Sequence, residues 1–171
     1  MNTAGIVQVP KPVLRAVCEP VAFDDDTEEL VESLLSACWE TGRAGVAAPQ
    51  IGLPIQAFAA RLGASEIPQV FLNPTLTIDD TSVTSVEREG CLSIKDRWYE
   101  VERWESVGLT WATPHGEITS ATFQGYDARI LQHEYDHLSG TLIIDRTLEW
   151  ARKQSRQVQR MVEREVGKVT S

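Results

Sequence analysis

The stretch from Gly125 to Gly140 constrains this chain most. Its residues carry helical spacing from Gly125 to Ser139, and Gly140 supplies a stop. Inside it runs His133-Glu134-Tyr135-Asp136-His137. Histidines at i and i+4 lie one turn apart on one helix face, so their imidazoles can converge on a single metal ion. Glu134, beside the first histidine, is angled to the same side and can act on a water held there. The bland alternative is a polar helix face that spells these residues by composition.

Two histidines do not hold a catalytic metal firmly, and a third protein ligand is usual. A third histidine six residues after the second would fall at position 143, which is Ile143. Glu163 lies in a basic, solvent-facing pattern near the C-terminus, and His115 sits in the turn Thr113-Pro114-His115-Gly116. Cys91 remains, in Glu89-Gly90-Cys91-Leu92-Ser93. Alone, a cysteine after glycine reads as a small buried residue. Beside two histidines it reads as a thiolate ligand, with glycine letting the backbone pass close to the ion. The cysteines number three, an odd count that argues against a disulfide framework. Cys38 falls in a helical apolar pattern and reads as core, and Cys18 carries no chemical reading.

At 171 residues, 42% apolar and 24% charged, the chain reads as one soluble globular domain over 1–171. No run of eighteen apolar residues exists, which predicts no membrane association. Residues 1–10 lack a basic lead and an apolar block, so the expected address is cytoplasmic. A net charge of −9 disfavours general binding of nucleic acid or anionic lipid. Residues 146–171 depart from this balance: seven basic and three acidic residues give +4, leaving −13 on the remainder.

The first helix should begin at Asp26, with Glu29 as its capping partner, and stop at Gly42; Leu30, Leu34 and Cys38 form its stripe. A small-residue loop should follow over 45–52. Strands are expected at 55–60 and at 69–78, with Asn73-Pro74 breaking the second, then at 97–103, 106–113 and 117–124. A last helix is expected over 147–166, its stripe running from Leu148 through Val158 to Val166. Short strands in the middle with helices at both ends and between them predict an α+β fold with antiparallel sheet.

Three motifs in order make the chain resemble the peptide deformylases. That family is marked by Gly-x-Gly-Leu-Ala-Ala-x-Gln, Glu-Gly-Cys-Leu-Ser and Gln-His-Glu-x-Asp-His-Leu-x-Gly. The second stands intact at Glu89 to Ser93 and the third at Gln132 to Gly140. The first appears as Arg43-Ala44-Gly45-Val46-Ala47-Ala48-Pro49-Gln50, with Arg43 in place of glycine and Val46 in place of leucine. The resemblance implies the peptide-deformylase fold, antiparallel sheets packed around a central metal-binding helix with helices toward both ends of the chain. It implies hydrolytic removal of the formyl group from the N-terminal formylmethionine of new polypeptides. Cys91, His133 and His137 would hold one divalent ion, with ferrous iron the implied metal; the donor set also suits zinc, nickel or cobalt.

By the same resemblance Glu134 would be the general base, and the Gln50 amide with the Leu92 backbone N–H would stabilise the oxyanion. Gly45 and its neighbour Val46 would hold the substrate peptide. Glu89 would pair with an arginine, Arg103 being the candidate, and so brace the cysteine loop. Tyr126 and Ile130 share the helix face of the two histidines and are either plain core or the wall of the methionine pocket. Arg43 could narrow or charge the entrance. The implied partners are nascent N-formylmethionyl polypeptides, and the ribosome through the basic C-terminal helix, with the chain acting as a monomer. Three rivals stand beside this reading: an endopeptidase of the His-Glu-x-x-His type, a hydrolase of another formylated or acylated amide, and a binding protein that has lost catalysis.

Overall fold

A computed structural model describes residues 5–24, 26–79 and 81–147. From position 148 on, the helix expected over 147–166 lies outside the described residues, and Thr147 itself forms an isolated antiparallel bridge with Val101. Five strands form one antiparallel sheet: β1 (Gly45–Ala47), β2 (Ala57–Ala60), β3 (Gln69–Thr77), β6 (Ser106–Ala112) and β7 (Ile118–Gln124), in the order β1-β2-β3-β6-β7. Two further strands, β4 (Thr84–Cys91) and β5 (Ile94–Trp104), make a separate hairpin. Helix α1 spans Thr27–Thr41 and α2 spans Gly125–Leu138. The architecture is α+β with antiparallel sheets. Among the described residues no helix is long and apolar enough to cross a membrane.

Period-two alternation explains the two cores. Ala57, Ala59, Val70 and Leu72 face α1 and pack with its Leu30, Leu34 and Cys38. Phe58, Ala60 and Phe71 face the other way and pack with Ile130, Leu131 and Leu138 of α2. Phe58 stacks on Phe71 at 4.9 Å, and Trp111 lies 5.0 Å beyond. Each fully buried leucine or phenylalanine contributes about 1.5–3 kcal/mol, so α2 is fixed by one face while the residues of its other side approach the hairpin.

Several local expectations change. Asp26 occupies the N-cap of α1 without a side-chain cap bond; the neighbouring turn is closed instead by Asp24, whose N–H donates to Thr27 Oγ1 at 3.0 Å. Gly42 ends α1 in the left-handed region at φ 62°. The segment 45–52 is not all loop: Gly45–Ala47 is a strand, followed by one 3-10 turn over Ala48–Ile51. Asn73-Pro74 does not break β3. The register slips between Leu72 and Thr75, a bulge that lets the strand continue. Asn73, at φ 47°, uses its amide to bind the backbone of Val21 in both directions, at 2.7 and 3.0 Å. β4 was not foreseen at all.

The N-terminal arm straps the site from outside. Val7 N–H donates to Gln50 O at 2.8 Å and Val9 N–H to Ser93 O at 3.1 Å. Gln8 Nε2 reaches Leu92 O at 3.0 Å.

Candidate metal centre and its cavity

Helix α2 and the β4–β5 turn bring three donors together. The ligand atoms of Cys91, His133 and His137 all lie within 4.8 Å of one another, and Cys91 Sγ is 3.5 Å from His137 Nε2. Two donors bound to one ion at about 2.0–2.3 Å are themselves roughly 3.5 Å apart. The donor set and its spacing therefore fit a single divalent cation. The i,i+4 spacing supplies the two imidazoles from one face, with ring centroids 5.2 Å apart. The two-residue turn after Cys91, closed by its pairing with Ile94, delivers the sulfur.

Glu89 sets the orientation of His133. Its Oε2 lies 3.1 Å from Nδ1 of that ring, which leaves Nε2 to face the sulfur. The same carboxylate accepts two bonds from Arg103, at 3.0 and 3.1 Å, and one from Arg129 Nη1 at 2.7 Å. Burial alone would raise the Glu89 pKa, but the hydrogen bonds from His133 and Arg103 hold it at about 2. Burial opposes charge on His133, yet its bonds to Cys91 and Glu89 lift its pKa well above the ordinary value. His137 moves well below, through burial and then repulsion from His133 and Arg103.

Glu134 is buried beside the donors, and burial pushes its carboxyl up to about 7. Its Oε2 is buried and has no hydrogen-bond partner among the described residues. A carboxylate poised near neutrality, with a free oxygen, can exchange protons with a reacting molecule. Gly45 makes room for it: a Cβ there would fall 2.5 Å from Glu134 Oε1. Gln50 is locked by its own turn, Oε1 accepting from Ala47 N–H at 2.9 Å and Nε2 donating to Ser93 Oγ at 3.2 Å. That amide also lies 3.6 Å from Cys91 Sγ.

A cavity of about 480 Å³ opens beside the donors, lined by Gly45, Gln50, Cys91, Leu92, His133 and Glu134 among others. Both Tyr126 and Ile130 line it; Tyr126 is exposed at the mouth and Ile130 is buried in the wall. Val46 does not. The whole residue is buried, its side chain in the core under α1 and its backbone opposite Ala59 of β2. Strand β1 is an edge of its sheet. Arg61 N–H bonds Ala44 O, so by antiparallel alternation the backbone groups of Gly45 point away from β2, to the open edge.

Two buried partners had escaped the sequence reading. Arg129 bonds Glu89, the Val101 carbonyl and Ser85. Asp136 accepts from Arg103 at 2.6 Å and from Arg146 at 2.6 Å. The signal for Arg129 was its place four residues before His133, on the same helix face. Ile143, where another metalloprotease type has a ligand, is buried against Cys91, Ile94 and Val101.

An antiparallel shell that sets a Cys-His-His donor cluster beside a buried, partnerless carboxylate on a cavity wall defines a metallohydrolase. The chain belongs to the polypeptide deformylases, whose family model matches residues 3–154. It is 38% identical over 136 residues to a peptide deformylase of Thermotoga petrophila, covering 79% of this chain and 81% of that one. The crystal structure of the Thermotoga maritima peptide deformylase superposes with a TM-score of 0.77 at 35% identity, covering 83% of this chain and 95% of the other. A Met-Ala-Ser-bound peptide deformylase of Acinetobacter baumannii gives 0.75 at 29% identity, covering 82% and 96%.

Proposed function

We propose that this protein is a peptide deformylase, which hydrolyses the formyl amide at the N-terminal methionine of new polypeptides, giving formate and a free amine. The observation that carries the site assignment is the approach of Cys91 Sγ to His137 Nε2 at 3.5 Å, beside Glu134 on the wall of the cavity. Cys91, His133 and His137 hold one divalent ion. When bound, that ion supplies Lewis-acid polarisation and brings the acidity of water toward neutrality. Ferrous iron is the proposed metal, and elemental analysis after anaerobic purification checks it against zinc, nickel and cobalt.

The chain's own residues do the rest. Glu134 takes a proton from the attacking water as its oxygen adds to the formyl carbon. Gln50 Nε2 and the Leu92 backbone N–H donate to the oxygen of the former carbonyl as it gains charge. The C–N bond then breaks, and Glu134 returns the proton to the leaving nitrogen. Gly45 presents its outward backbone groups to an extended substrate, which adds to the open edge as a strand. Ile130 and Tyr126 enclose the methionine side chain. Glu89 keeps His133 in one tautomer.

Formate release from formyl-Met-Ala-Ser tests this reading, with Glu134→Ala as control. Release by the metal-loaded protein and its loss in the variant are expected. No release from the loaded protein overturns it. Docking at the ribosomal exit through residues 146–171 rests on their +4 charge; undiminished ribosome binding after deletion of 150–171 would reject it. Action as a monomer in the cytoplasm, where formylated chains are made, completes the proposal, and sedimentation velocity tests the monomer.

A further inference from the structure

Charge is distributed unevenly around the cavity. The chain carries 25 acidic residues against 16 lysines and arginines. Yet Arg43, Arg88, Lys95 and Arg97, all exposed, line this one cavity, and among the described residues Asp96 is the one exposed carboxylate in its lining. Among the described residues none of these four cations forms an ion pair within 4.0 Å. Glu100 stands opposite Arg88 in the hairpin register without closing on it. Arg129, the fifth cation of the lining, is buried and spent on Glu89.

The backbone presents three of the charged residues deliberately. Gly90 pairs with Trp98 and Cys91 with Ile94, so Lys95, Asp96 and Arg97 have no partners on β4 and bulge outward. Asp96 turns the bulge at φ 58°, a conformation aspartate tolerates. Trp98 is exposed at 55% and packs on Gly90, where a Cβ would lie 3.3 Å from its ring. Arg43 lines the same cavity from the chain just before β1, the open edge strand. A peptide lying along that edge with its first residue in the cavity shares that cavity with Arg43 and the bulge.

We infer that the cationic rim formed by Arg43, Arg88, Lys95 and Arg97 selects formylated peptides with acidic side chains in the residues directly after formylmethionine. The inference rests on the deformylase reading and deepens it by naming the substrate class. Unpaired guanidinium and ammonium groups around a mouth focus an attractive field on an anionic chain and repel a cationic one. Each exposed contact is worth a factor of about two to five, so two acidic residues yield a preference of roughly tenfold. The effect belongs to binding, remote from the reacting carbon, and so appears mainly in KM.

The test compares kcat/KM for formyl-Met-Glu-Glu-amide, formyl-Met-Ala-Ser-amide and formyl-Met-Lys-Lys-amide, all amidated to remove the terminal carboxylate. At low ionic strength the acidic peptide should exceed the alanine-serine peptide about tenfold and the lysine peptide by more, and 0.5 M KCl should bring the three together. In the triple variant Arg43→Glu, Lys95→Glu, Arg97→Glu the ratio should invert. The ratio is taken within each protein, so a general loss of activity leaves it readable. Calorimetric titration with the product Met-Glu-Glu-amide should show affinity falling with salt and lost in the variant. No formate from any peptide overturns the deformylase reading itself. Formate from all three at equal, salt-independent rates overturns only the rim assignment. A preference that survives in the triple variant also overturns it, as does equal peptide turnover with rim-dependent retention of an RNA oligonucleotide, which would make phosphate the ligand.

Discussion

Glu89 Oε2 lies 3.1 Å from His133 Nδ1 while the other oxygen of the same carboxylate holds Arg103 and Arg129. One side chain thus ties the cysteine-bearing hairpin to the histidine-bearing helix. Glu89→Ala removes a charge that two buried arginines depend on. Breaking a buried ionic cluster from one side costs about 3–5 kcal/mol. The urea midpoint should fall by that equivalent, and metal affinity by about 10- to 100-fold as His133 loses its orienting partner. A variant with wild-type stability and metal content would show that Glu89 braces nothing.

Gly45→Ala should damage catalysis with little effect on metal loading. The added Cβ would meet Glu134 Oε1 at 2.5 Å and its Cδ at 2.7 Å, so the carboxylate must move. A displacement of this size costs at least about 100-fold in rate. Metal content by emission spectroscopy should stay stoichiometric, because neither histidine nor Cys91 is touched. Full kcat in this variant would mean that the base has room to spare.

The donors were legible in the sequence because the code is local. An i,i+4 pair on a helix needs no tertiary knowledge, and Glu-Gly-Cys in a turn announces close backbone approach. The α+β order was legible because α1, β6, β7 and α2 each end on a glycine or a turn. Strand β4 was not. Ser85, Glu87 and Glu89, on one side of the strand, are polar and paired with Arg129 rather than packed against apolar groups, so no hydrophobic alternation marks them. β1 is not legible as a strand because three residues buried on both faces show no period. Val46 looked like a substrate contact by its place in a motif, whereas its side chain closes the core under α1.

The thiols of Cys18 and Cys38 should make stability fall in alkali. Burial raises both from an ordinary 9.0 to about 11; at Cys38 Arg61 opposes this and Glu134 adds to it. Between pH 9 and about 11 the unfolded thiols release protons that the folded ones retain. The unfolded state then binds fewer protons, and stability declines as pH rises. It is fully present below pH 9. Urea unfolding at pH 8.5, 9.5 and 10.5 should show this slope, and Cys38→Ala should flatten it. Equal slopes in the two proteins would rule Cys38 out as a source.

Asp136 bridges two arginines of very different exposure, and the difference predicts two different losses. Arg103 is 4% exposed and Arg146 is 50% exposed at the side chain. Arg146→Ala removes a partner that water replaces, and should cost no more than about 1 kcal/mol. Asp136→Ala leaves the buried Arg103 with Glu89 as its remaining acidic partner, and should cost about 3 kcal/mol or more. Asp136 also sits at the last turn of α2, one residue before His137. Its loss should loosen that turn and lower metal affinity, but less than Glu89→Ala does, because the bonds of the Asp136 carboxylate go to Arg103 and Arg146 and not to an imidazole. Chemical denaturation of the two variants side by side decides the matter: equal losses would mean that burial does not govern the worth of these pairs.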